Sequence, residues 1–290
     1  MELRVLKYFL VIAREENFTK AAKQLHITQP TLSRQIAQLE DELGVTLFER
    51  NNHKIVLSED GLILKRRAQE IISLADKTKQ DFLYKDEHLE GTLSIGCGEF
   101  QATKCLTDCI AAFRKEHPYV KYELYSGNTT NIKDNIERGL IDLGLMSNPI
   151  DLSKFESIEM PLQETWGILV KNNSPLANNK YIEPQDLIDI PIVSSLGEYQ
   201  DTVLKDWFGS YWNQINIIAK GNLIYNGALF AQRNMGVLLG IRLNCDYQDL
   251  SFVPLKPSLY QQTSLAWKKE QFFSPTTTAF INYAKEYFKK

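Results

Sequence analysis

The sequence contains no apolar segment of about 18 residues or more, the length that a helix needs to span a membrane. Its first residues, MELRVLK, already carry charges, so they lack the apolar core of a signal peptide. Only four cysteines are present, none in a Cys-x-x-Cys pair or at a zinc-ligand spacing from a histidine. These absences predict a cytoplasmic protein with reduced thiols, no membrane contact and no metal site.

The sequence also lacks an excess of positive charge, since 33 Lys and Arg stand against 36 Asp and Glu, for a net charge of −3. Any affinity for DNA must therefore come from a local basic patch. Catalytic patterns are missing as well, because the histidines are scattered and no Ser/His/Asp or Cys/His signature is present. The run GCGEFQ at residues 96–101 lacks the third glycine of a dinucleotide-binding motif. We therefore expect no catalytic residues and no cofactor.

Apolar residues at helical spacing predict a first helix over residues 2–15. Thr19 is the expected N-cap of a second, short helix, and residues 26–27 are the expected turn after it. Thr28 is placed to cap a third helix, and Gly44 suits the C-terminal end of that helix. Two short helices joined by a tight turn are typical of the helix-turn-helix motif.

The third predicted helix has one apolar stripe and one polar face. Its apolar residues run from Leu32 to Leu43 at intervals of 4, 3 and 4, and the opposite face carries Gln, Thr, Ser and Arg side chains, which can hydrogen-bond base edges. No acidic residue occurs over residues 17–39 or 50–58, where a carboxylate would oppose phosphate binding. A small basic β-wing is predicted over residues 50–57. The alternative is a three-helix packing module whose polar face is merely solvated.

Residues 17–36, NFTKAAKQLHITQPTLSRQI, resemble the signature of LysR-type transcriptional regulators, as does LEDELGVTLFER at residues 39–50. The resemblance implies a winged helix-turn-helix in which the helix from about Thr28 enters the major groove and the wing contacts the DNA backbone. The wing sequence NNHK at 51–54 departs from the Arg and Gly expected of the family. With the polar-face positions included, the predicted DNA-binding residues are Thr19, Thr28, Gln29, Pro30, Thr31, Ser33, Arg34, Gln38, Arg50 and Lys54.

Ser58 can cap a further helix, which we predict over residues 59–88. An apolar seam with heptad spacing runs along it, consisting of Leu64, Ala68, Ile71, Ala75, Thr78 and Phe82. Such a seam favours a dimerisation arm, and in the resembled family this linker helix pairs two subunits. A dimer would place two recognition helices on successive turns of a roughly palindromic DNA site. The alternative is that the helix packs against its own domain.

From Gly91 onward, apolar runs alternate with helical patterns, which predicts parallel sheets covered by helices. This α/β module resembles the two-lobed regulatory domain of the same family, which is similar to periplasmic binding proteins. The predicted domains are a winged helix-turn-helix at 1–58, a linker helix at 59–88 and an effector-binding regulatory domain at 91–290, with lobe I at 91–165 and 265–290 and lobe II at 166–264.

Open α/β sheets bind ligands beyond the carboxyl ends of their strands, so the loops there are the expected site of a small-molecule effector. The N-terminus of the helix after the first strand is expected to suit an anion. Glu99, in the same loop, would instead disfavour an acidic effector or select a cationic or polyhydroxylated one. A redox role for Cys97, beside this loop, is left open. The predicted effector-binding residues are Gly98, Glu99, Phe100, Gln101, Thr103, Asn128, Thr129, Ser147, Ser194, Ser195, Asn222 and Asn226.

For each of these polar residues the alternative is an ordinary turn or capping role. The whole pattern predicts a sequence-specific, DNA-binding transcriptional regulator that a small molecule controls from between the two lobes. The resemblance adds contact with RNA polymerase and assembly into a homodimer or homotetramer. The alternative function is a solute-binding or metabolic α/β protein whose N-terminal module mediates assembly.

Overall fold

The computed structural model describes residues 1–51, 54–83, 89–195 and 198–289. The chain divides into two compact units, an N-terminal unit of Met1–Leu83 and a C-terminal unit of Tyr84–Lys290. Part of the predicted linker, residues 84–88, lies outside the described residues, as do residues 52–53 at the tip of the predicted wing.

The described residues of the N-terminal unit form four helices and a two-stranded hairpin. In chain order these are α1 Leu3–Glu15, α2 Phe18–Gln24, α3 Gln29–Leu43, β1 Phe48–Asn51, β2 Lys54–Leu57 and α4 Glu59–Leu83. The two strands pair antiparallel, with Phe48 opposite Leu57, which confirms the predicted wing. Helices α2 and α3 with the turn between them form the predicted helix-turn-helix.

Local capping explains where these helices begin and end. The Thr28 hydroxyl accepts a hydrogen bond from the backbone N–H of Thr31, and Gly44 ends α3 in the left-handed conformation, as predicted. The expectation that Thr19 caps α2 is wrong. The cap is Asn17, whose side-chain oxygen accepts from the backbone N–H of Lys20 at 3.0 Å, so the helix begins at Phe18.

One side of α4 completes the core of the N-terminal unit. Ala68 is fully buried, and Leu64 and Ile71 pack against the same cluster as Phe9 and Leu32. The first half of the predicted heptad seam therefore contacts its own domain, which is the alternative that the sequence left open. The Ser58 cap is confirmed, since its hydroxyl accepts from the backbone N–H of Gly61 at 2.9 Å.

The C-terminal unit alternates strands and helices. In chain order these are β3 Gly91–Cys97, α5 Thr103–Glu116, β4 Val120–Ser126, α6 Thr129–Glu137, β5 Leu143–Ser147, β6 Phe155–Lys171, β7 Pro191–Ser195, α7 Glu198–Phe208, β8 Asn216–Gly221, α8 Ile224–Gln232, β9 Val237–Ile241, β10 Leu250–Pro254, β11 Tyr260–Lys268 and α9 Pro275–Tyr287.

The sheets are mixed, which corrects the expectation of purely parallel ones. Strand β3 pairs parallel with β4 and β5, and β7 pairs parallel with β8 and β9. Strands β6, β10 and β11 pair antiparallel with their neighbours. The mixed arrangement arises because the chain crosses between the two halves of the sheet twice, in opposite directions, through β6 and then β11.

Strand β6 belongs to two halves, which we call lobe I and lobe II. Its first part, up to Thr165, pairs with β11 beside β5, β3 and β4, and its last part, from Trp166, pairs with β9 and β10. Each lobe has its own core: Phe113 meets Phe280 edge-on at 5.2 Å in lobe I, and Trp166 packs with Phe208 in lobe II. The predicted lobe boundary at residue 265 falls inside β11, whose pairing with β6 begins at Tyr260.

Candidate DNA-binding surface and interlobe cleft

The side of α3 opposite its apolar stripe is open to solvent. Leu32, Ile36 and Leu39 are buried in the core of the N-terminal unit, with at most 2% of their surface exposed. The predicted DNA-binding residues of the helix point the other way. Those that are exposed are Thr28, Gln29, Pro30, Thr31, Arg34 and Gln38, while Ser33 is half-buried.

Two hydrogen bonds order the first turn of α3. The Gln29 amide donates to the Ser33 hydroxyl at 2.8 Å, and the hydroxyls of Thr28 and Thr31 lie 2.8 Å apart. These bonds limit the side-chain rotamers, which lowers the entropy lost when the same groups bind a partner.

Of the three acidic residues in the C-terminal part of α3, Glu40 is held by the backbone of the wing. A Glu40 carboxylate oxygen accepts hydrogen bonds from the backbone N–H groups of Leu47 at 2.7 Å and Phe48 at 3.3 Å. Glu40 therefore fixes the start of the wing. The solvent-exposed charges nearest in sequence to the first turn of α3 are those of Lys20, Lys23 and Arg34.

Three of the predicted backbone contacts are placed less fully. Thr19 is exposed, near the start of α2. For Arg50 and Lys54 the structure gives the strands they belong to, but their side chains lie outside the described residues. Their roles in DNA binding stay predictions.

A cleft lies between lobe I and lobe II, at the carboxyl ends of β3, β5 and β7. Its cavity volume is about 60 Å³, room for a few non-hydrogen groups, because one ordered water needs on the order of 10–15 Å³. The predicted effector-binding residues that line it are Gly98, Glu99, Phe100, Asn128, Thr129, Ser147, Ser195 and Asn222. A Cβ at Gly98 would lie 2.1 Å from the nearest atom of the Phe100 ring, so the ring would have to move if another residue stood there.

The other predicted residues do not line this cleft; they are Gln101, Thr103, Ser194 and Asn226. The Thr103 hydroxyl donates to the backbone carbonyl of Gly98 at 3.3 Å, which holds the loop before α5. Ser194 is buried at 1% exposure, on the side of β7 that faces away from the lining. Asn226 is exposed on α8.

Carboxylates of the chain itself occupy two helix N-termini at the cleft, which corrects the expectation of a free anion site. The fully buried Glu164 accepts from the backbone N–H groups of Gln101 at 2.9 Å and Ala102 at 3.0 Å, at the start of α5. Burial raises the Glu164 pKa, and these two hydrogen bonds oppose the rise. In lobe II, the Glu99 carboxylate accepts from the backbone N–H of Ile224, the first residue of α8.

Six lining residues were not predicted: Gly127, Trp166, Gly221, Ile224, Ile241 and Gln261. Trp166 and Gln261 lie on the crossing strands β6 and β11, at 2% and 8% exposure. The Trp166 Nε1 and Gln261 Nε2 atoms are buried without a hydrogen-bond partner. These two residues can be recognised as lining residues only from the course of β6 and β11 between the lobes. That course depends on strand pairing between segments far apart in the sequence.

Cys97 lies at the end of β3, and burial raises its pKa to about 11. A thiol with such a pKa is protonated at neutral pH, whereas redox-sensing cysteines have lowered pKa values. Cys109 is buried, with its pKa raised by burial to about 12. In the described part of the chain, no group of three or more His, Cys, Asp or Glu residues could hold a metal ion.

The arrangement is that of a regulator with a helix-turn-helix head and a separate two-lobed module for a small molecule. Comparison with known protein families supports this arrangement for the helix-turn-helix head and for the two-lobed module. Residues 3–62 match the family described as "Bacterial regulatory helix-turn-helix protein, lysR family", and residues 86–289 match the "LysR substrate binding domain". The chain belongs to the LysR family of DNA-binding transcriptional regulators.

Curated relatives match along the whole chain. The Hca operon transcriptional activator HcaR of Escherichia coli (strain K12) is 30% identical over 295 residues, covering 99% of this chain and 98% of the relative. The uncharacterized HTH-type transcriptional regulator YybE of Bacillus subtilis (strain 168) is 29% identical over 293 residues, covering 100% of both chains.

Solved structures share the fold. CbnR, a LysR family transcriptional regulator, superposes with a TM-score of 0.77 at 20% identity, covering 100% of both chains. Full-length CbnR complexed with its target DNA gives a TM-score of 0.76 at 20% identity, covering 99% of this chain and 100% of that chain. At this identity the likeness shows a common architecture. None of the helices in the described part of the chain combines the length and hydrophobicity that a bilayer span requires.

Proposed function

We propose that this regulator binds operator DNA by inserting the N-terminal part of α3 into the major groove. The observation that carries the proposal is the exposed polar face of α3, where Gln29, Thr31 and Arg34 are accessible and no acidic residue intervenes. Arg and Gln recognise purine edges in the major groove, and the wing is placed to contact the phosphate backbone.

The regulator acts as a dimer through the face of α4 that its own core leaves uncovered. Ile63 and Leu74 are 58% and 43% exposed. They are eleven residues apart, close to three helical turns of 3.6 residues, and so lie on one side of the helix. Pairing these faces would bury apolar surface and would present two copies of α3 to a roughly palindromic site.

A small-molecule effector occupies the interlobe cleft and controls DNA binding. An effector shifts the arrangement of the lobes only if it binds one arrangement more tightly than another. The Glu99–Ile224 hydrogen bond supports such coupling, because it joins the two lobes at the cleft and is accessible to a bound ligand.

Membership of the LysR family supports four further proposals, on location, partner, assembly and catalysis. We propose that the protein works in the cytoplasm, contacts RNA polymerase at its promoters, assembles as a homodimer or homotetramer, and has no catalytic activity of its own.

A gel-shift experiment tests the proposal with DNA from upstream of the protein's own gene, at two salt concentrations and against a scrambled duplex of the same length. We expect site-selective retardation that weakens steeply with salt, because phosphate contacts release counterions. Absence of retardation, together with turnover or tight binding of a metabolite, would favour a solute-binding or metabolic protein instead.

A further inference from the structure

Among the described residues, those that line the interlobe cleft include one ionisable side chain, Glu99, and no Lys, Arg or His. A ligand with a net negative charge would therefore meet a carboxylate and no opposing side-chain cation. A half-buried carboxylate interacts more strongly with a nearby charge than a solvated one does, because the local dielectric is lower. The lining thus disfavours anions and favours a positively charged group at Glu99.

The helix N-termini described at the cleft supply less positive potential than free ones would, because side chains of this protein already accept from them. The N-terminus of α5 is taken by Glu164, and that of α8 by Glu99 itself. At α6 the Asn128 side chain accepts from the backbone N–H of Asn131 at 2.9 Å. At each of these three helix N-termini, the chain itself therefore already supplies an acceptor to at least one backbone N–H group.

Two residues that line the cleft carry a buried donor in need of an acceptor. Trp166 Nε1 and Gln261 Nε2 are buried without a partner, and both residues line the cavity. A buried donor left unpaired costs free energy, so a ligand oxygen that accepts from these groups would be stabilised there. Glu99 and these donors together select a molecule with a donor at one end and an acceptor at the other.

We propose that the cleft binds a small amino compound without net negative charge, of the class of the neutral α-amino acids. The ligand ammonium pairs with Glu99, and a carboxyl or carbonyl oxygen accepts from Trp166 or Gln261. A carboxylate has about four acceptor positions, so the Glu99 contact with Ile224 leaves capacity for the ammonium. The cavity of about 60 Å³ fits a molecule of only a few non-hydrogen atoms. This inference rests on the proposed effector role of the cleft.

Matched ligand pairs test the proposal on the full-length protein. The probes are glycine, alanine and serine against acetate, propanoate and 3-hydroxypropanoate, which keep the carbon skeleton and lack the amino group. Dissociation constants are measured by calorimetry. We expect at least one amino acid to bind about tenfold or more tightly than its deaminated partner, the effect of one hydrogen bond to a charged group.

Glu99→Gln removes the charge and keeps an oxygen that can accept from Ile224. It should weaken the preferred amino acid about tenfold or more and reduce the preference over the deaminated acid. Glu123→Gln is the matched control, since Glu123 is exposed on β4 and does not line the cleft. A purely structural role of Glu99 would lower the melting temperature of Glu99→Gln without changing the ratio of the two dissociation constants.

The proposal is overturned if no amino acid of the panel binds, if a deaminated acid binds as tightly as its partner, or if Glu99→Gln leaves the ratio unchanged. The same preparations are assayed for site-selective DNA binding without ligand. Intact DNA binding with any of these results rejects the ligand class alone, whereas loss of DNA binding in the wild type rejects the proposed function itself.

Discussion

Glu164 is a carboxyl group with no solvent contact that holds the start of α5 in place of a local cap. Ala102, the residue before the helix, has no side-chain oxygen to offer, so the capping oxygens come from β6, 62 residues further along the chain. Two backbone donors to one carboxylate are enough to accommodate an acidic side chain in the interior. The cost of its burial is expressed in the raised pKa.

Glu164→Gln should lower the free energy of unfolding by about 1–3 kcal/mol, because the amide nitrogen cannot accept one of the two hydrogen bonds. All four tryptophans lie in the C-terminal unit, so urea unfolding followed by tryptophan fluorescence reports on that unit. Glu159→Gln, an exposed change on the same strand, is the control and should be close to neutral. Equal stability of the two variants would contradict the capping role.

The stability difference between the wild type and Glu164→Gln should depend on pH. The Glu164 pKa is raised in the folded state above its ordinary value of 4.5, so the folded state binds more protons than the unfolded state in the window between the two values. The wild-type free energy of unfolding therefore falls, relative to Glu164→Gln, as the pH rises from 4.5 through that window. A wild-type advantage that grows toward neutral pH would show that the pKa is lowered instead.

The cysteines differ in reactivity because they differ in burial. Cys245 is exposed, whereas burial raises the pKa of Cys97 to about 11. Since the thiolate is the reactive form, iodoacetamide near neutral pH should modify Cys245 first and leave Cys97 until the protein unfolds. Mass spectrometry of partially alkylated protein checks this order. Modification of Cys97 as fast as Cys245 would revive a redox role.

At the scale of elements, local signals predict some features well. The bounds of α3 follow from Thr28 and Gly44, which cap the helix without help from the rest of the fold. The first part of β6 shows no such signal, because the residues up to Thr165 include Pro161 and several charges. That segment becomes a strand by pairing with β11, about a hundred residues later.

The cleft likewise has a part that local sequence signals predict and a part that depends on long-range pairing. Its loops after β3 and β5 were predictable because ligands bind beyond the carboxyl ends of strands. Trp166 and Gln261 could not be predicted as lining residues, because the sequence alone indicates only that they lie in strands that pack in a core. Their place in the lining depends on where the two crossing strands pass between the lobes.

The exposed polar face of α3 leads us to expect that Arg34 contributes to operator binding. Arg34→Ala should weaken binding to the operator by about 1–3 kcal/mol and relax the preference at one base position, if Arg34 contacts a purine edge. Fluorescence anisotropy with operator variants measures both effects. Arg233→Ala, an exposed change in the C-terminal unit with the same loss of charge, should leave the base preference unaltered. Identical affinities for Arg34→Ala and the wild type would exclude this face.

The exposed apolar face of α4 leads us to expect that a charge placed on it weakens the dimer. Leu74→Glu places a charge where the proposed interface buries an apolar side chain worth about 1.5–3 kcal/mol, so the dimer dissociation constant should rise about tenfold or more. Analytical ultracentrifugation detects the shift toward monomer. Leu152→Glu, at a position 66% exposed in the C-terminal unit, is the control. A dimer unaffected by Leu74→Glu would mean that another surface pairs the subunits.

At the scale of the whole molecule, the proposed dimer places two α3 helices on one DNA duplex. A net charge of −3 makes general attraction to DNA weak, so binding depends on the local basic surface of each N-terminal unit. Two weak heads joined in one dimer reach high affinity only on DNA that presents both half-sites with the right spacing.

Methylation protection of guanine N7 tests this requirement most directly, because N7 lies in the major groove. We expect two protected clusters, centred about 10–10.5 base pairs apart or a multiple of that spacing, and loss of protection with Arg34→Ala. Retarded DNA whose guanines stay fully reactive, or that shows a single protected cluster, would contradict the insertion of paired α3 helices.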